Sequence, residues 1–147
     1  MAHQHPASGE VPAASHESVE HVGELVLRVR AWSLAELFIE AARGLAELTL
    51  GRRRTWVSGA PRMLALEARD PAALLVDWLN ELIYLAETER WVALEFQGAQ
   101  VTRTTLRVHA RGAKVKRAPS RIKAATLHGL RLAEEDGMLQ ADVVLDV

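Results

Sequence analysis

Apolar and polar residues alternate along the segment ELVLRVRA, and this alternation predicts the first ordered strand. Leu25, Leu27 and Val29 share one face of an extended chain. Arg28 and Arg30 lie on the opposite face. A period of two residues with one apolar face is typical of a strand that buries one side against a core.

The apolar period lengthens to that of a helix in the next segment, SLAELFIEAARGLAELTLG. Ser33 and Glu36 form a capping box, in which serine caps the first turn and glutamate reaches back to the serine amide. Gly51 ends the apolar run, as glycine commonly does after a helix. Gly44 lies inside the helix and predicts close packing on a neighbouring element.

A second helix is predicted after a short strand, RMLALEA. Asp70 supplies its N-cap and Pro71 its first residue, a combination typical of helix N-termini. The helical segment AALLVDWLNELIYLAETE carries a broad apolar stripe, which favours burial against a sheet. The residues of the stripe are Leu75, Trp78, Leu79, Leu82, Ile83 and Ala86.

The remaining segments predict four strands in two hairpins. VALEFQGAQVT pairs with TTLRVHARG in the first. IKAATLHGLRLAE pairs with MLQADVVLDV in the second, across Glu135-Asp136-Gly137, whose Asp-Gly step is a strong turn signal. The predicted order is β-α-β-α-β-β-β-β. This order favours an α+β two-layer domain, with two amphipathic helices packed on one face of a mainly antiparallel sheet.

The first residues show no such periodicity. Residues 1–16 are rich in Pro, Ser, Ala, Gly and His, and this composition predicts a disordered N-terminal tail. Residues 17–147 are expected to form a single domain around one core. The sequence has no secretory signal, no long apolar run and no cysteine. These features predict a soluble, cytoplasmic protein that does not associate with membranes.

Charge is distributed unevenly, although the formal net charge is only −1. From Gln97 to Ala133 there is no Asp or Glu, and there are nine Lys and Arg residues. Such a region favours a partner that carries phosphates or acidic groups, with a solvated sheet face as the alternative. The candidate partner contacts are Lys114, Lys116, Arg117 and Lys123.

The residues with the clearest candidate chemistry are acidic. The sequence contains no glycine-rich phosphate loop, G-x-S-x-G or H-E-x-x-H motif, which favours a binding or regulatory protein over an enzyme. Glu24 begins the first ordered strand, and Asp146 with the carboxylate of Val147 ends the last. If these strands are antiparallel neighbours, three oxygen-bearing groups converge, as divalent cations such as Ca²⁺ or Mg²⁺ require. Solvated strand ends are the alternative.

Four stretches, in order along the chain, resemble the archease family. HVGE is similar to the family's His-Thr-Ala-Asp opening and is followed by LRVRAWSLAELFIEAARGLAEL. LLVDWLNELIYLAE is close to the family's Leu-Leu-x-x-Trp-Leu-Asn-Glu-Leu-Leu-Tyr run and is the most specific of the four. IKAATLHGL is similar to the family's Val-Lys-Ala-x-Thr-Tyr-His segment, and VVLDV to its ending on Asp plus one aliphatic residue.

The resemblance implies a small α+β protein with no ligase activity of its own. Archeases activate the GTP-dependent RNA ligase of transfer-RNA splicing and RNA repair, promoting its guanylylation and repeated turnover. RNA would then be reached only indirectly, through the ligase.

The resemblance also implies a metal site. In the family a divalent cation binds the Asp of the opening motif and the last two residues, which correspond here to Glu24, Asp146 and Val147. Ca²⁺ is the favoured ion, with Mg²⁺ and Mn²⁺ as alternatives. Glu24 replaces the family's Asp and is longer by one methylene group, so the pocket is expected to differ.

Two other functions remain open. A compact domain without a catalytic set is compatible with a chaperone or a modulator of nucleic-acid-modifying enzymes. A metal-dependent hydrolase is the third hypothesis, although no general base stands out beside the carboxylates. Trp78 and Tyr84 are expected to pack the second helix on the sheet. Asn80 is expected to satisfy nearby backbone groups or solvent.

Overall fold

The structure, a computed structural model, describes residues 11–116 and 121–147. Within these ranges the chain forms seven strands and two helices, so the predicted α+β class is confirmed. The elements are β1 (Ser15–His21), β2 (Glu24–Ala31), α1 (Leu34–Leu50), β3 (Ser58–Glu67), α2 (Pro71–Glu89), β4 (Trp91–Val101), β5 (Thr105–Lys114), β6 (Ala124–Glu135) and β7 (Met138–Asp146).

The described strands form two antiparallel sheets, so the prediction of a single sheet is wrong. One sheet has the order β1-β2-β7-β6 and the other the order β3-β5-β4. The hairpins β4–β5 and β6–β7 are both present, as predicted. Alternation along a strand indicates which side chains are buried, but it does not indicate which strands become neighbours after a crossover. The partition into two sheets therefore lay beyond the sequence pattern.

Both helices begin at the predicted caps. The Ser33 hydroxyl accepts a hydrogen bond from the Glu36 amide at 3.2 Å, and the Asp70 carboxylate accepts one from the Ala73 amide at 2.7 Å. Pro71 occupies the first turn of α2. These caps satisfy amide groups that a helix leaves without intrahelical partners.

The core lies between the helices and the inner faces of both sheets. α1 packs against β2 and β4, and α2 packs against β6 and β4, so each helix contacts both sheets. Trp78 is fully buried at the centre. Its indole N–H donates to the Phe38 carbonyl at 2.9 Å, and its ring meets Phe96 edge-on with centroids 6.1 Å apart. Neither described helix is long and apolar enough to cross a membrane.

Tyr84 does not share the packing role that was predicted for it together with Trp78. The Tyr84 side chain is 58% exposed, whereas Ile83 and Leu85 on either side of it are buried. Residue 84 lies on the outer surface of α2, outside the apolar stripe that packs on the core. The prediction is confirmed for Trp78 and wrong for Tyr84.

Strand β1 corrects the predicted boundary of the N-terminal tail. The tail was expected to run through residue 16, but Ser15 and His16 already pair with Arg30 and Val29 of β2. β1 is the edge strand of its sheet and is held by backbone pairing and by polar contacts. Its sequence, SHESVEH, therefore shows no apolar alternation from which a strand could be predicted. Residues 1–10 of the predicted tail lie outside the described residues.

His16 fastens β1 to the first helix. Its Nδ1 lies 2.5 Å from a carboxylate oxygen of Glu40, and its Nε2 contacts the carboxylate of Glu47. Gly44 permits this approach, because a Cβ there would lie 3.1 Å from the His16 ring and 2.8 Å from Cδ1 of Leu27. The close packing predicted for Gly44 is therefore confirmed.

Asn80 fastens the second helix to the edge strand β6. Its amide NH₂ donates to the Ala125 carbonyl at 3.0 Å, and its side-chain oxygen accepts from the Ala125 amide at 2.8 Å. One asparagine thus satisfies both backbone groups of a residue at the sheet edge, as a neighbouring strand would. The expectation that Asn80 serves nearby backbone is confirmed.

The contacts of His16 predict a pH-dependent contribution to stability. Burial lowers the pKa of His16, but the hydrogen bonds and negative charges of Glu47 and Glu40 raise it, and the net pKa lies above the ordinary 6.5. A raised pKa in the folded state means that the stabilisation is complete below pH 6.5 and is lost as the pH rises through the raised value. We expect His16→Gln to lower the free energy of unfolding by about 1 kcal/mol at pH 5.5 and by much less at pH 9.

Urea unfolding of both chains at the two pH values measures this difference. His128→Gln, which changes an exposed histidine on β6, is the matched control and should leave the free energy of unfolding unchanged at both. A deficit for His16→Gln that is equal at pH 5.5 and pH 9 would contradict the charged-histidine account.

Removal of the Asn80 side chain is expected to destabilise the fold. Asn80→Ala leaves the amide and carbonyl of Ala125 without these partners, at a cost of about 1–3 kcal/mol. Asn80→Asp should also destabilise, because a carboxylate cannot donate to the Ala125 carbonyl. Thermal and urea unfolding measure both changes. Asp77→Ala, on an exposed position of the same helix, is the control, and an equal loss for Asp77→Ala would refute the assignment.

Candidate metal site at the end of the four-stranded sheet

Strands β2 and β7 are central neighbours in the four-stranded sheet and run antiparallel. Their register places Glu24 opposite Asp146, and Leu25 opposite Leu145. Opposed residues point to the same side of a sheet. The two carboxylates therefore share the face turned away from the buried Leu25 and Leu145. β2 and β7 are thus antiparallel neighbours, the condition under which Glu24 and Asp146 were expected to converge.

The backbone around Asp146 is held on both sides. Asp146 is opposed by Glu24 of β2 and by Ala124 of β6. Its carbonyl oxygen accepts a hydrogen bond from the Lys123 amide at 2.8 Å. Val147 follows, half-buried, and packs against the hydrophobic core. The strand end is therefore anchored, which limits the fraying common at chain ends. We call Glu24, Asp146 and Val147 the acidic tip.

Neighbouring residues frame the acidic tip. Val22, in the turn before Glu24, is fully exposed. Arg121, which precedes β6, forms an ion pair with Glu20 of β1 at 3.0 Å, and both side chains are largely exposed. An exposed pair of this kind contributes little to stability. It nevertheless shows that the segment entering β6 lies across the same end of the sheet as the end of β1.

The electrostatics of the acidic tip favour a cation. Like charges opposed across an antiparallel pair are destabilising, and Glu24 faces Asp146 in this way. Carboxylate oxygens are the donors that Ca²⁺ and Mg²⁺ prefer. Among the residues that the structure describes, no three His, Asp or Glu side chains are placed to hold a metal ion. The carboxylates of Glu24 and Asp146 alone would fit only an exposed site whose remaining ligands are other oxygens or water.

The three predicted partner contacts that lie within the described residues do not form one surface. Lys123 is exposed and lies beside the acidic tip through its bond to Asp146. Lys114 and Lys116 lie at the end of β5, in the other sheet, where they line a cavity with Arg54. Arg117 lies outside the described residues.

Two exposed features, the loop after α1 and Val22, were not identified from the sequence. The run RRRTW after α1 was interpreted only as a loop, yet Arg54 lines the same cavity as Lys114 and Lys116. Trp56 of that loop is 80% exposed. A tryptophan two residues after three consecutive arginines was the available signal. Val22 beside the acidic tip gave no signal, because a single valine in a turn is unremarkable in a sequence.

The chain matches the model of the archease protein family over residues 16–147. A protein archease from Methanosarcina mazei is 30% identical over 141 residues, covering 90% of this chain and 95% of the relative. A protein archease from Methanothermobacter thermautotrophicus is 29% identical, covering 78% of this chain and 85% of the relative.

Two solved structures resemble the fold. The solution structure of Methanobacterium thermoautotrophicum protein 1598 has a TM-score of 0.74 and 25% identity, and the match covers 90% of this chain and 98% of that one. The crystal structure of an archease from Thermotoga maritima, described as a possible chaperone, has a TM-score of 0.60 and 18% identity. That match covers 89% of this chain and 96% of the other. The family model spans nearly all of the described residues and the relatives match over most of their length, so this chain belongs to the archease family.

Proposed function

We propose that this chain is a non-catalytic activator of a GTP-dependent RNA ligase, and that it acts through a divalent cation held at the acidic tip. The observation that carries the proposal is the register that opposes Glu24 and Asp146 across two central strands. Membership of the archease family supports it. The tip falls on the two segments, HVGE and VVLDV, that resemble the family's opening and ending motifs.

The residues of the acidic tip would act by holding the ion in a fixed place. Glu24 and the two carboxylates at residues 146 and 147 offer oxygen donors, which suit Ca²⁺ and also Mg²⁺ or Mn²⁺. A bound ion would supply concentrated positive charge for phosphate or carboxylate oxygens of the ligase site. Pairing of Asp146 with both neighbouring strands fixes its position, and a rigid element positions a charge better than a loop does.

The shape of the acidic tip suits contact with a partner rather than catalysis by this chain. Asp146 is exposed and Val22 beside it is fully exposed, so both are available to another protein. Lys123 adds a positive charge on the same end of the sheet. Mixed charge around an exposed apolar residue is the composition of a small docking surface. RNA would be reached through the ligase in this role.

A chaperone role is the second candidate. It is favoured by the description of the Thermotoga maritima archease as a possible chaperone. In this role the protein would suppress aggregation of unrelated clients, and Asp146→Asn would have no effect. Dependence on Asp146 therefore separates the two functions.

Removal of one carboxylate is expected to weaken activation strongly without unfolding the protein. In multiple-turnover RNA ligation by the GTP-dependent ligase of the same organism, we expect the intact chain to accelerate turnover. Asp146→Asn and Glu24→Gln should each reduce that acceleration by about tenfold or more. Loss of a group that only hydrogen-bonds to a metal ligand commonly lowers metal affinity by about ten- to hundredfold, and loss of a ligand should cost at least as much. Glu24→Asp, which restores the family's shorter residue, should retain activation.

Glu134→Gln is the matched control, because it removes one exposed carboxylate at the opposite end of the β6–β7 hairpin. It should activate as the intact chain does. A chain that lacks residues 146 and 147 should fail in the same way as Asp146→Asn. Full activation by Asp146→Asn and by the shortened chain would refute the tip mechanism. Ligase turnover that ignores the intact chain would refute the proposed function as a whole.

A further inference from the structure

The loop after α1 and the end of β5 enclose a depression on the three-stranded side of the molecule. A cavity of about 490 Å³ opens between them. Its lining residues are Arg53, Arg54, Thr55, Lys114, Val115 and Lys116. A second cavity of about 300 Å³ shares the first three of these residues and adds Leu50, Trp56 and Leu94. Because the cavities share a wall, we treat them as one feature and call it the basic groove.

The basic groove is cationic. Four of its lining side chains are Lys or Arg and none is Asp or Glu. Arg53 is partly committed to the fold, because its guanidinium donates to the carbonyls of Thr49 and Leu50 at the end of α1, at 3.0 and 3.2 Å. Lys114 donates to the Glu89 carbonyl at 3.3 Å. Both of these contacts are to neutral carbonyls.

Arg54 and Lys116 are the two charges available to a ligand. Both residues are exposed. Within residues 11–116 and 121–147, neither side chain forms a hydrogen bond or an ion pair with another group. Like charges gathered around one depression repel each other, and an anion would relieve that repulsion.

Trp56 adds an aromatic surface to the basic groove. Its side chain is 80% exposed, whereas Trp32 is 39% exposed and the other two tryptophans are buried. Leu50 and Leu94 line the same cavity as the indole and pack on a small buried cluster, so the cavity has an apolar wall. An exposed indole beside an apolar wall is a surface on which a planar group can stack.

The combination of an exposed indole and unpaired cations distinguishes between anionic partners. An acidic polypeptide would use the cations but would leave the indole without a specific partner. Duplex nucleic acid would offer phosphates but would keep its bases stacked inside the helix. A single strand offers both, since its bases are free to stack on an aromatic ring while its phosphates contact Lys and Arg.

We propose that the basic groove binds single-stranded nucleic acid directly, with a base stacked on Trp56 and neighbouring phosphates bound by Arg54 and Lys116. This inference goes beyond the proposed function, in which RNA is reached only through the ligase, and it does not depend on it. The acidic tip and the basic groove belong to different sheets and use different residues. RNA and DNA single strands share this chemistry, so both are included in the test.

The test is fluorescence anisotropy of a labelled oligouridylate with the full chain at several salt concentrations. With phosphates bound by Arg54 and Lys116, the logarithm of the binding constant should fall with the logarithm of salt with a slope of about −1.4. Trp56→Ala should weaken binding by roughly 5- to 150-fold, the effect of losing one stacked base. Trp56→Phe, which keeps an aromatic face, should restore most of the affinity.

Charge is tested separately from stacking. Lys116→Gln should weaken binding and make the salt slope shallower by about 0.7, as expected when one phosphate contact is lost. Arg131→Gln removes an exposed charge from β6 in the other sheet and should leave both affinity and slope unchanged. Oligothymidylate in place of oligouridylate shows whether the groove distinguishes RNA from DNA, and comparable binding of both supports the shared chemistry.

Three results would overturn the inference. The first is no binding of either single strand at low salt. The second is binding that neither Trp56→Ala nor Lys116→Gln weakens. The third is binding of polyglutamate as strong as that of oligouridylate and equally indifferent to Trp56→Ala, which would identify an acidic protein surface as the partner. None of these results depends on ligase activity, so they leave the proposed function to its own test.

Discussion

The antiparallel pairing of β2 with β7 is the constraint on which both the fold and the acidic tip depend. Leu25 and Leu145 face each other on its buried side, as do Leu27 and Val143. A slip of one residue would turn these side chains outward and bring the polar ones into the core, so burial fixes the register. The same register opposes Glu24 and Asp146 on the outer side. A favourable core thus holds in place an arrangement that is unfavourable without a counter-charge.

Much of the fold could be predicted because it rests on local patterns. The caps at Ser33 and Asp70, the strand that contains Leu25 and the turn before Met138 each follow from a few adjacent residues. Strand β1 could not be predicted in this way. Its fixation comes from His16 meeting two helical carboxylates that lie more than twenty residues away in the chain. Contacts of this kind leave no periodic trace in the sequence.

The two candidate sites also differ in how far local sequence patterns could predict them. The placement of Glu24 opposite Asp146 could be predicted, because the ends of both strands follow from adjacent residues. Only the antiparallel pairing of the two strands had to be assumed. The basic groove could not be predicted, because Arg54 and Trp56 follow α1 while Lys116 follows β5, and only the tertiary fold brings them to one cavity. Of the lysines predicted as partner contacts, Lys123 lies beside the acidic tip, whereas Lys114 and Lys116 line the basic groove.

Under the proposed function, the β2–β7 register makes a cation site of the acidic tip. Anomalous diffraction from crystals grown with Mn²⁺ tests it most directly, because the signal locates the ion independently of any activity. A cation site there predicts a peak in contact with the carboxylates of Glu24, Asp146 and the Val147 terminus, and the loss of that peak in Asp146→Asn crystals. A tip without a peak at saturating Mn²⁺, or a peak that Asp146→Asn leaves unchanged, would contradict it.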